Sequence, residues 1–300
     1  MSRLRGKLAP YLMVLPAWLW LAIFFVVPTV TMLSVSTMTG NDLDGFKQTF
    51  HFSTYADAWN DYHTQIVRSL IYGLVATVLC VLIGYPVAYW IAFYGGRHKS
   101  TLLFLLLLPF FVSFVIRTLA WETLLQDEGV VIKAMKHLHI DGAFFGFMHF
   151  IGAVPEHAHQ ITQTHLAVVG GLVYNFLPFT ILPIYVSLER VSPSLLESSA
   201  DLYGNKVTSF TKVVLPLSMP GVFAGVLLTF VPVAADYVTA QILGGPGTTM
   251  VGTIIDQRFN SQEYPIASAL SFILMALLLI GVFSYAKALG TEEAMEMAAA

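Results

Sequence analysis

Residues 192–216 read SPSLLESSADLYGNKVTSFTKVVLP, a long polar interval with a helical design inside a very hydrophobic chain. Ser192 is a favoured N-cap residue, and Pro193 fits the first helical position that follows it. The stretches on both sides are apolar and suited to lipid. The interval is therefore expected to lie in water between two membrane spans, where a soluble partner protein can bind it.

One face of the helix expected after Ser192 carries small residues and carboxylates. Glu197, Ala200, Asp201 and Gly204 recur there at helical spacing. A second short helix is expected over about residues 206–214, separated from the next span by prolines. On residue chemistry alone, a solvated connector in which Glu197 only caps the helix is the alternative to a docking face.

Composition places the chain in a bilayer. Apolar residues make up 56% of it and charged residues 11%, and its mean hydropathy is +0.72. Soluble domains carry roughly 25% charged residues, so this chain cannot cover its surface with charge. A net charge of -3 without a basic stripe argues against nucleic-acid binding. The single cysteine, Cys80, lies in an apolar run and predicts packing rather than thiol chemistry.

Six apolar stretches have the roughly 20 residues that cross about 30 Å of hydrocarbon. They cover residues 11–35, 66–93, 101–125, 166–188, 219–243 and 266–289. The basic N-terminus resembles a signal peptide, but the apolar run after it is too long, so an uncleaved first helix is expected. The predicted fold is an all-α integral membrane protein with six transmembrane helices.

Lysine and arginine indicate the orientation of these helices. With the N-terminus inside, the inner segments carry nine of these residues and the outer segments four, and cytoplasmic loops are the basic ones. Both termini are therefore expected in the cytoplasm. The domain plan is a cytoplasmic N-terminus (1–10), a six-helix domain (11–290) with a cytoplasmic loop (189–218), and a cytoplasmic tail (291–300).

The polar interval resembles the cytoplasmic "EAA" loop of ABC-importer permeases. The pattern of that loop is Glu-Ala-Ala, three residues, Gly, nine residues and Ile-x-Leu-Pro. Glu197 matches the first position, and Val213, Leu215 and Pro216 match the end. In that family the loop docks in a groove of the ATP-hydrolysing subunit and transmits its motion to the spans.

The departures from the EAA pattern are small. Two serines replace the alanine pair and keep its size, and Tyr203 stands where the family has glycine, one place before Gly204. The resemblance assigns ATPase coupling to Glu197, Ser198, Ser199, Ala200, Asp201, Gly204, Leu215 and Pro216.

Further runs extend the resemblance to the spermidine/putrescine permease group, whose transmembrane domain is MetI-like. These runs are GLVYNFLPF (171–179), LPIYVSLER (182–190), LPLSMPG (215–221) and LGGPG (243–247). The resemblance implies the multi-pass permease subunit of a type I ABC importer for polyamines in a bacterial inner membrane. The implied partners are an ABC ATPase dimer, a second permease that is a different chain, and an extracytoplasmic substrate-binding protein.

The sequence carries no nucleotide-binding motif of its own. No G-x-x-x-x-G-K-[ST] phosphate loop occurs in it, so we expect a transport subunit that is not an enzyme and has no cofactor, with ATP bound by the partner. The alternatives are a permease for another small solute (iron, thiamine or phosphonate) and a secondary-active carrier. A carrier would show an inverted repeat and ion-coupling carboxylates.

Two intramembrane charges and three aromatic residues are candidates for the translocation pathway. A carboxylate within a span usually faces a cavity or the bundle interior, so Asp236 could pair with an ammonium group, or it could instead neutralise a helix end. Arg117 would repel a polyamine, and a structural pair with Glu122 or Asp236 is expected for it. The aromatic candidates, by cation–π contact or by lining, are Tyr237, Trp121 and Tyr174.

The third outer loop is rich in histidine, with His-x-His occurring twice among His137, His139, His149, His157, His159 and His165. No cysteine or carboxylate completes a recognised metal-ligand spacing, so solvated histidines without a metal are expected. Residues 130–138 predict a short amphipathic helix, and residues 143–151 an apolar stretch at the interface.

Overall fold

The computed structural model describes residues 14–41, 45–150, 152, 154, 161–203 and 205–288, with the backbone alone for residues 193, 200, 202, 203 and 288. Within these ranges the chain is helical except for loops and one antiparallel hairpin, β1 (Met38–Asn41) with β2 (Gly45–Gln48), in which Met38 lies opposite Gln48. The expected terminal segments (1–10 and 291–300), Gly204, His157 and His159 lie outside the described residues.

The described helices are α1 (Val14–Val35), α2 (Ser53–Tyr94), α3 (Lys99–Leu107), α4 (Phe114–Leu125), α5 (Val130–His137), α6 (Asp141–Phe150), α7 (His165–Glu189), α8 (Pro193–Tyr203), α9 (Lys206–Ala234), α10 (Val238–Leu243), α11 (Val251–Asn260) and α12 (Tyr264–Ala288). Short 3₁₀ turns lie at Gly96–His98, Leu108–Phe111 and Pro246–Thr248, and π-helical turns at Ala22–Val26 in α1 and Phe210–Val214 in α9.

Five of the helices found in the described ranges (α1, α2, α7, α9 and α12) are long and apolar enough to cross a membrane. A sixth span results when the bent pair that contains α3 and α4 counts as one. This confirms the predicted class, an all-α membrane protein, and gives five to six membrane-spanning helices where six were predicted. The predicted helix over residues 130–138 and the apolar stretch after it correspond to α5 and α6.

The third span is broken, so the expectation of one helix over residues 101–125 is wrong. Its two halves meet at an angle of 89°. Pro109 lacks an N–H, the helix tightens into a 3₁₀ turn at Leu108–Phe111, and Val112 is extended with ψ 140°. The helix restarts at Phe114, where the Arg117 N–H donates to the Ser113 carbonyl at 3.0 Å.

The second span begins earlier than predicted. Helix α2 starts at Ser53 rather than near residue 66 and runs for 42 residues, which is about 63 Å at 1.5 Å per residue. Its first turns carry polar residues, which hid them from a hydropathy argument. The helix is therefore about twice as long as the hydrocarbon layer is thick.

The short helix expected after residue 206 is not separate from the fifth span. Helix α9 is continuous from Lys206 to Ala234, because Pro216 follows the π-helical turn within the first two positions of the next helical stretch, where its missing N–H is tolerated. At the other end the predicted span 219–243 is interrupted, since α9 ends at Ala234 and α10 begins at Val238.

The chain divides into two compact units, one of residues up to His63 with Ile254–Ala276, the other of Thr64–Thr253 with the residues from Leu277 onward. In the first unit, Arg258 forms an ion pair with Glu263 at 2.6 Å and hydrogen-bonds the hydroxyl of Tyr62. Arg258 of α11 thus links α2 to the residue that precedes α12.

In the second unit, α7 and α9 pack closely against each other. A Cβ atom on Gly221 would lie 2.5 Å from the Pro183 carbonyl oxygen, and one on Gly225 would lie 3.0 Å from the Thr180 carbonyl oxygen. Two glycines four positions apart let membrane helices approach closely. The hydroxyls of Thr180 and Thr229 then hydrogen-bond across the pair at 2.6 Å.

Candidate functional site

The candidate pathway residues lie where α4, α7 and α10 pack against one another. Asp236 sits in the break between α9 and α10 and is 8% exposed. Its Oδ1 accepts a hydrogen bond from the Thr239 N–H at 2.7 Å, which satisfies one of the free donors at the start of α10. A carboxylate in this position also complements the helix dipole. The carboxylate therefore lies at the start of α10.

Asn175 joins the three helices and was missed by the sequence argument. Its Nδ2 donates to the Thr118 hydroxyl of α4 at 3.3 Å and to the Thr239 hydroxyl of α10 at 3.4 Å. The side chain is fully buried on α7. An amide inside an apolar run is a signal that could have revealed it, because polar residues within spans are costly.

Arg117 is buried, and no carboxylate among the residues that the structure describes pairs with it, so the expected structural pair with Glu122 or Asp236 is wrong. The ion pairs formed between described residues are Lys99–Glu189, Lys133–Glu128 and Arg258–Glu263. Arg117 instead stacks its guanidinium 4.5 Å from the Phe110 ring centre and 5.7 Å from that of Phe114. A desolvated cation–π contact contributes about 2 kcal/mol, whereas burying an unpaired charge costs several kcal/mol.

The break in the third span opens a groove of about 490 Å³ beside this arginine. Arg117 and Asn175 are the polar side chains that face it with unmet hydrogen-bonding capacity: Arg117 Nε and Nη1 and Asn175 Oδ1 are buried and have no partner among the described residues. The rest of the lining is largely aromatic and consists of Phe110, Phe111, Val112, Ser113, Phe114, Phe176 and Phe179.

Two of the aromatic residues predicted to line the pathway are in contact with each other. The Trp121 and Tyr174 rings lie 5.2 Å apart at 66°, an edge-to-face contact between α4 and α7. Trp121 follows Arg117 by one helical turn and Tyr174 precedes Asn175, so both adjoin the polar cluster. The third aromatic candidate, Tyr237, precedes α10 and is 44% exposed.

The predicted coupling segment contains helix α8, which presents polar side chains to its surroundings. Glu197, Ser198 and Asp201 are exposed, while Ser199 is buried and donates its hydroxyl to the Leu196 carbonyl at 2.9 Å. The backbone of Ala200 is helical. These positions form an outward-facing strip of two carboxylates and a small residue.

The start of α9 attaches the coupling segment to α2. Asn205 caps α9 by accepting the Val207 N–H at 3.0 Å. Phe210 then meets the rings of Tyr85 and Tyr89 edge-on, each at 5.8 Å. Leu215 is half-buried and Pro216 exposed, and both lie within the helix.

A second link between the same two helices lies about two turns further along α9. The Tyr85 hydroxyl hydrogen-bonds that of Ser218 at 2.7 Å. The first turns of α9 and α2 are therefore joined by both ring contacts and a hydrogen bond.

In the part of the chain that the structure covers, no three histidine, cysteine, aspartate or glutamate side chains group in a way that could hold a metal ion. His165 lies at the start of α7 and hydrogen-bonds the Tyr72 hydroxyl. Arg68 of α2 donates to the Thr249 carbonyl at 2.9 Å. The first contact joins α7 to α2, and the second joins α2 to the connection that follows α10.

Comparison with known proteins identifies permease proteins as relatives of this chain. No family model matches the chain. It is 33% identical over 271 residues to the spermidine/putrescine transport system permease protein PotB of Haemophilus influenzae, covering 90% of each chain. It is 31% identical over 232 residues to the inner membrane ABC transporter permease protein YdcU of Escherichia coli K12, covering 77% of this chain and 72% of that protein.

Among solved structures, a chain of a bacterial ABC transporter involved in the import of the acidic polysaccharide alginate has the same fold. The TM-score is 0.63 at 18% identity, with 94% of this chain and 96% of that chain covered. A second structure of such a transporter, in complex with an alginate pentasaccharide-bound periplasmic protein, matches with a TM-score of 0.61.

Proposed function

Since the chain belongs to the PotB family of ABC-importer permeases, we propose that it carries polyamines such as spermidine and putrescine through the membrane during ATP-driven import. The observation that carries this proposal is the 33% identity spread over 90% of both chains. It favours polyamines over iron, thiamine or phosphonate as cargo. It also favours an ATP-driven importer over a secondary-active carrier.

The proposed assembly contains this permease, a second permease of a different chain, an ABC ATPase dimer and an extracytoplasmic substrate-binding protein. ATP is bound and hydrolysed by the ATPase, and the present chain supplies no catalytic group. The exposed strip on α8 supports an ATPase contact, since Glu197, Ser198 and Asp201 are free to meet another protein. The matched alginate transporter was solved with a periplasmic protein, which supports the general plan.

The proposed orientation puts both termini in the cytoplasm of a bacterium and the spans in its inner membrane. Inner segments then carry nine lysine and arginine residues and outer segments four. This orientation places α8 and the start of α9 on the cytoplasmic side, where the ATPase works.

Coupling is proposed to run through rigid contacts. Closure of the ATPase dimer moves α8 as a body, with Glu197, Ser198, Ser199, Ala200, Asp201 and Gly204 as its docking residues. Leu215 and Pro216 continue the movement within α9. The ring contacts of Phe210 with Tyr85 and Tyr89 pass it to α2.

The pathway is proposed to pass the four candidate residues Asp236, Tyr237, Trp121 and Tyr174. Trp121 and Tyr174 offer aromatic faces to a passing ammonium group, and Tyr237 offers a further exposed ring. Asp236 acts there as a positioning residue, because its carboxylate holds the first turn of α10.

The test is reconstitution of the full chain in proteoliposomes with the ATPase, second permease and binding protein proposed to accompany it. Uptake of labelled spermidine and putrescine is measured with ATP inside and after collapse of the proton gradient. Saturable uptake that needs ATP and survives the collapse is expected. ATP hydrolysis stimulated by the binding protein without polyamine uptake would overturn the cargo and keep the importer class.

A further inference from the structure

The groove at the break in the third span has a polar chemistry that a polyamine does not match. Arg117 brings a positive charge, and its buried Nε and Nη1 have no acceptor in the described part of the chain. A polyamine carries only ammonium groups and would be repelled. An anionic group with two oxygens, by contrast, matches the planar donors of a guanidinium.

Stacking on the phenylalanine rings does not satisfy the hydrogen-bond donors of Arg117. Phe110 and Phe114 lie against the face of the Arg117 guanidinium, at 4.5 and 5.7 Å from their ring centres. Contacts to the face leave the N–H groups at the edge free, because these groups point outwards in the guanidinium plane. The two rings therefore fix the orientation of Arg117 and leave its donors available to a ligand.

Asn175 requires a hydrogen-bond donor from the ligand, whereas Arg117 requires an acceptor. The Thr118 hydroxyl donates its hydrogen to the Phe114 carbonyl at 3.0 Å. It can therefore only accept from Asn175 Nδ2, at 3.3 Å, which fixes the orientation of the amide. Oδ1 is therefore the end that remains without a partner, and a ligand must offer it a hydrogen-bond donor.

The shape of the groove limits the size of the ligand. About 490 Å³ accommodates a small solute. The remaining lining is mostly phenylalanine, including Phe176 and Phe179, which suits a short methylene chain. A carboxylate alone, such as a side chain from another protein, would satisfy Arg117 and leave Asn175 Oδ1 unmet.

From these requirements we propose that the groove binds a small amino-carboxylate, with its carboxylate on Arg117, its ammonium on Asn175 Oδ1 and its methylene chain against the phenylalanine rings. The inference goes beyond the polyamine cargo, because a polyamine has no carboxylate. The proposal concerns ligand binding alone, so it can be tested without ATP and without transport.

The test uses the full chain in nanodiscs of phosphatidylcholine and labelled 4-aminobutyrate in equilibrium binding. This probe differs from putrescine by one carboxylate in place of one aminomethyl group. Saturable binding is expected, with no competition from putrescine. Butyrate, which lacks the donor for Asn175, should compete about tenfold less well than unlabelled 4-aminobutyrate. Equal competition by butyrate or effective competition by putrescine would overturn the proposal without any variant.

Variants of Arg117 test whether this residue holds the carboxylate of the ligand. Arg117→Gln is expected to weaken binding by at least about 30-fold, and Arg117→Lys by about tenfold, since lysine keeps the charge and loses the planar donors. Arg97→Gln removes the same charge from an exposed position and should bind like the wild type. Binding that is unchanged in Arg117→Gln would overturn the proposal.

A lipid headgroup with a net negative charge is the competing source of an anion. The same measurement in phosphatidylglycerol nanodiscs separates the two, since phosphatidylcholine is zwitterionic and an anionic headgroup that occupies Arg117 would abolish 4-aminobutyrate binding only in phosphatidylglycerol. Absence of 4-aminobutyrate binding in phosphatidylcholine would overturn the amino-carboxylate site. That result would leave the importer proposal untouched.

Discussion

The Asp236 carboxylate accepts the backbone N–H of Thr239 at 2.7 Å and so caps the short helix α10. Thr239 in turn accepts from Asn175 on α7. A charge that the sequence left open between the pathway and a helix end is thus part of the structure that holds three helices together.

Replacing Asp236 distinguishes a role in capping α10 from a role in the pathway. Asparagine also caps helices, so Asp236→Asn is expected to keep near-normal polyamine uptake and thermal stability. Asp236→Ala loses the cap and should cost about 1 kcal/mol. Thermal unfolding and uptake of both variants are compared. A stable Asp236→Asn protein that no longer transports would instead place the charge itself in the pathway.

Charge reversal at Glu197 tests the docking strip. Glu197→Lys should insert normally but lose at least about 90% of ATP-dependent uptake, because the reversed charge opposes the partner groove and like charges across an interface cost several kcal/mol. The control is Glu128→Lys, whose carboxylate is 84% exposed and lies far from α8 in the chain. Wild-type uptake by Glu197→Lys would refute the coupling role.

Truncation of Phe210 tests the transmission route. Phe210→Ala removes the edge-on contacts with Tyr85 and Tyr89, each worth about 1 kcal/mol beyond burial, and leaves α8 intact. The ATPase should still bind and hydrolyse ATP, while the number of polyamines imported per ATP falls severalfold. Val207→Ala, at a side chain 67% exposed on the same helix, is the control. An unchanged ratio of uptake to hydrolysis would contradict the route.

The close packing of α7 and α9 predicts a sharp difference between two glycines. Gly221→Ala forces a methyl group to within 2.5 Å of the Pro183 carbonyl oxygen and of Ser187 Cβ, and should destabilise the protein by about 2 kcal/mol or more. Gly170→Ala on α7 meets nothing within 4 Å and should be neutral or stabilising by up to about 1 kcal/mol. Thermal unfolding in detergent compares them, and equal stabilities would show that the helices can separate without cost.

Much of the architecture was predictable because hydropathy is summed over long windows. The fourth span was predicted as residues 166–188 and is His165–Glu189. The start of α8 at Pro193 follows from local capping rules. The errors occurred where local and tertiary effects compete: α2 begins in polar sequence at Ser53, and the prolines after the π-helical turn do not interrupt α9.

The polar cluster lay beyond the reach of sequence reasoning. Asn175 bonds residues 57 and 64 positions away, and no periodicity or spacing links such positions. Arg117 has two carboxylates as plausible partners in the sequence, and whether either is within reach depends on the 89° bend of the third span. The Trp121–Tyr174 pair was proposed as two separate pathway residues, and only the packing of α4 on α7 shows that they touch.

By itself, the sequence determined the membrane class, the approximate spans, the position of the coupling segment and the family. These properties depend on composition, on runs of some 20 apolar residues and on a short motif, all of which are local along the chain. Only the tertiary structure decided that Asp236 caps α10 and that Arg117 and Asn175 face one groove with unmet hydrogen bonds. The physical reason is that burial and pairing are properties of three helices brought together, and the energy of a polar group depends on which neighbours that packing supplies.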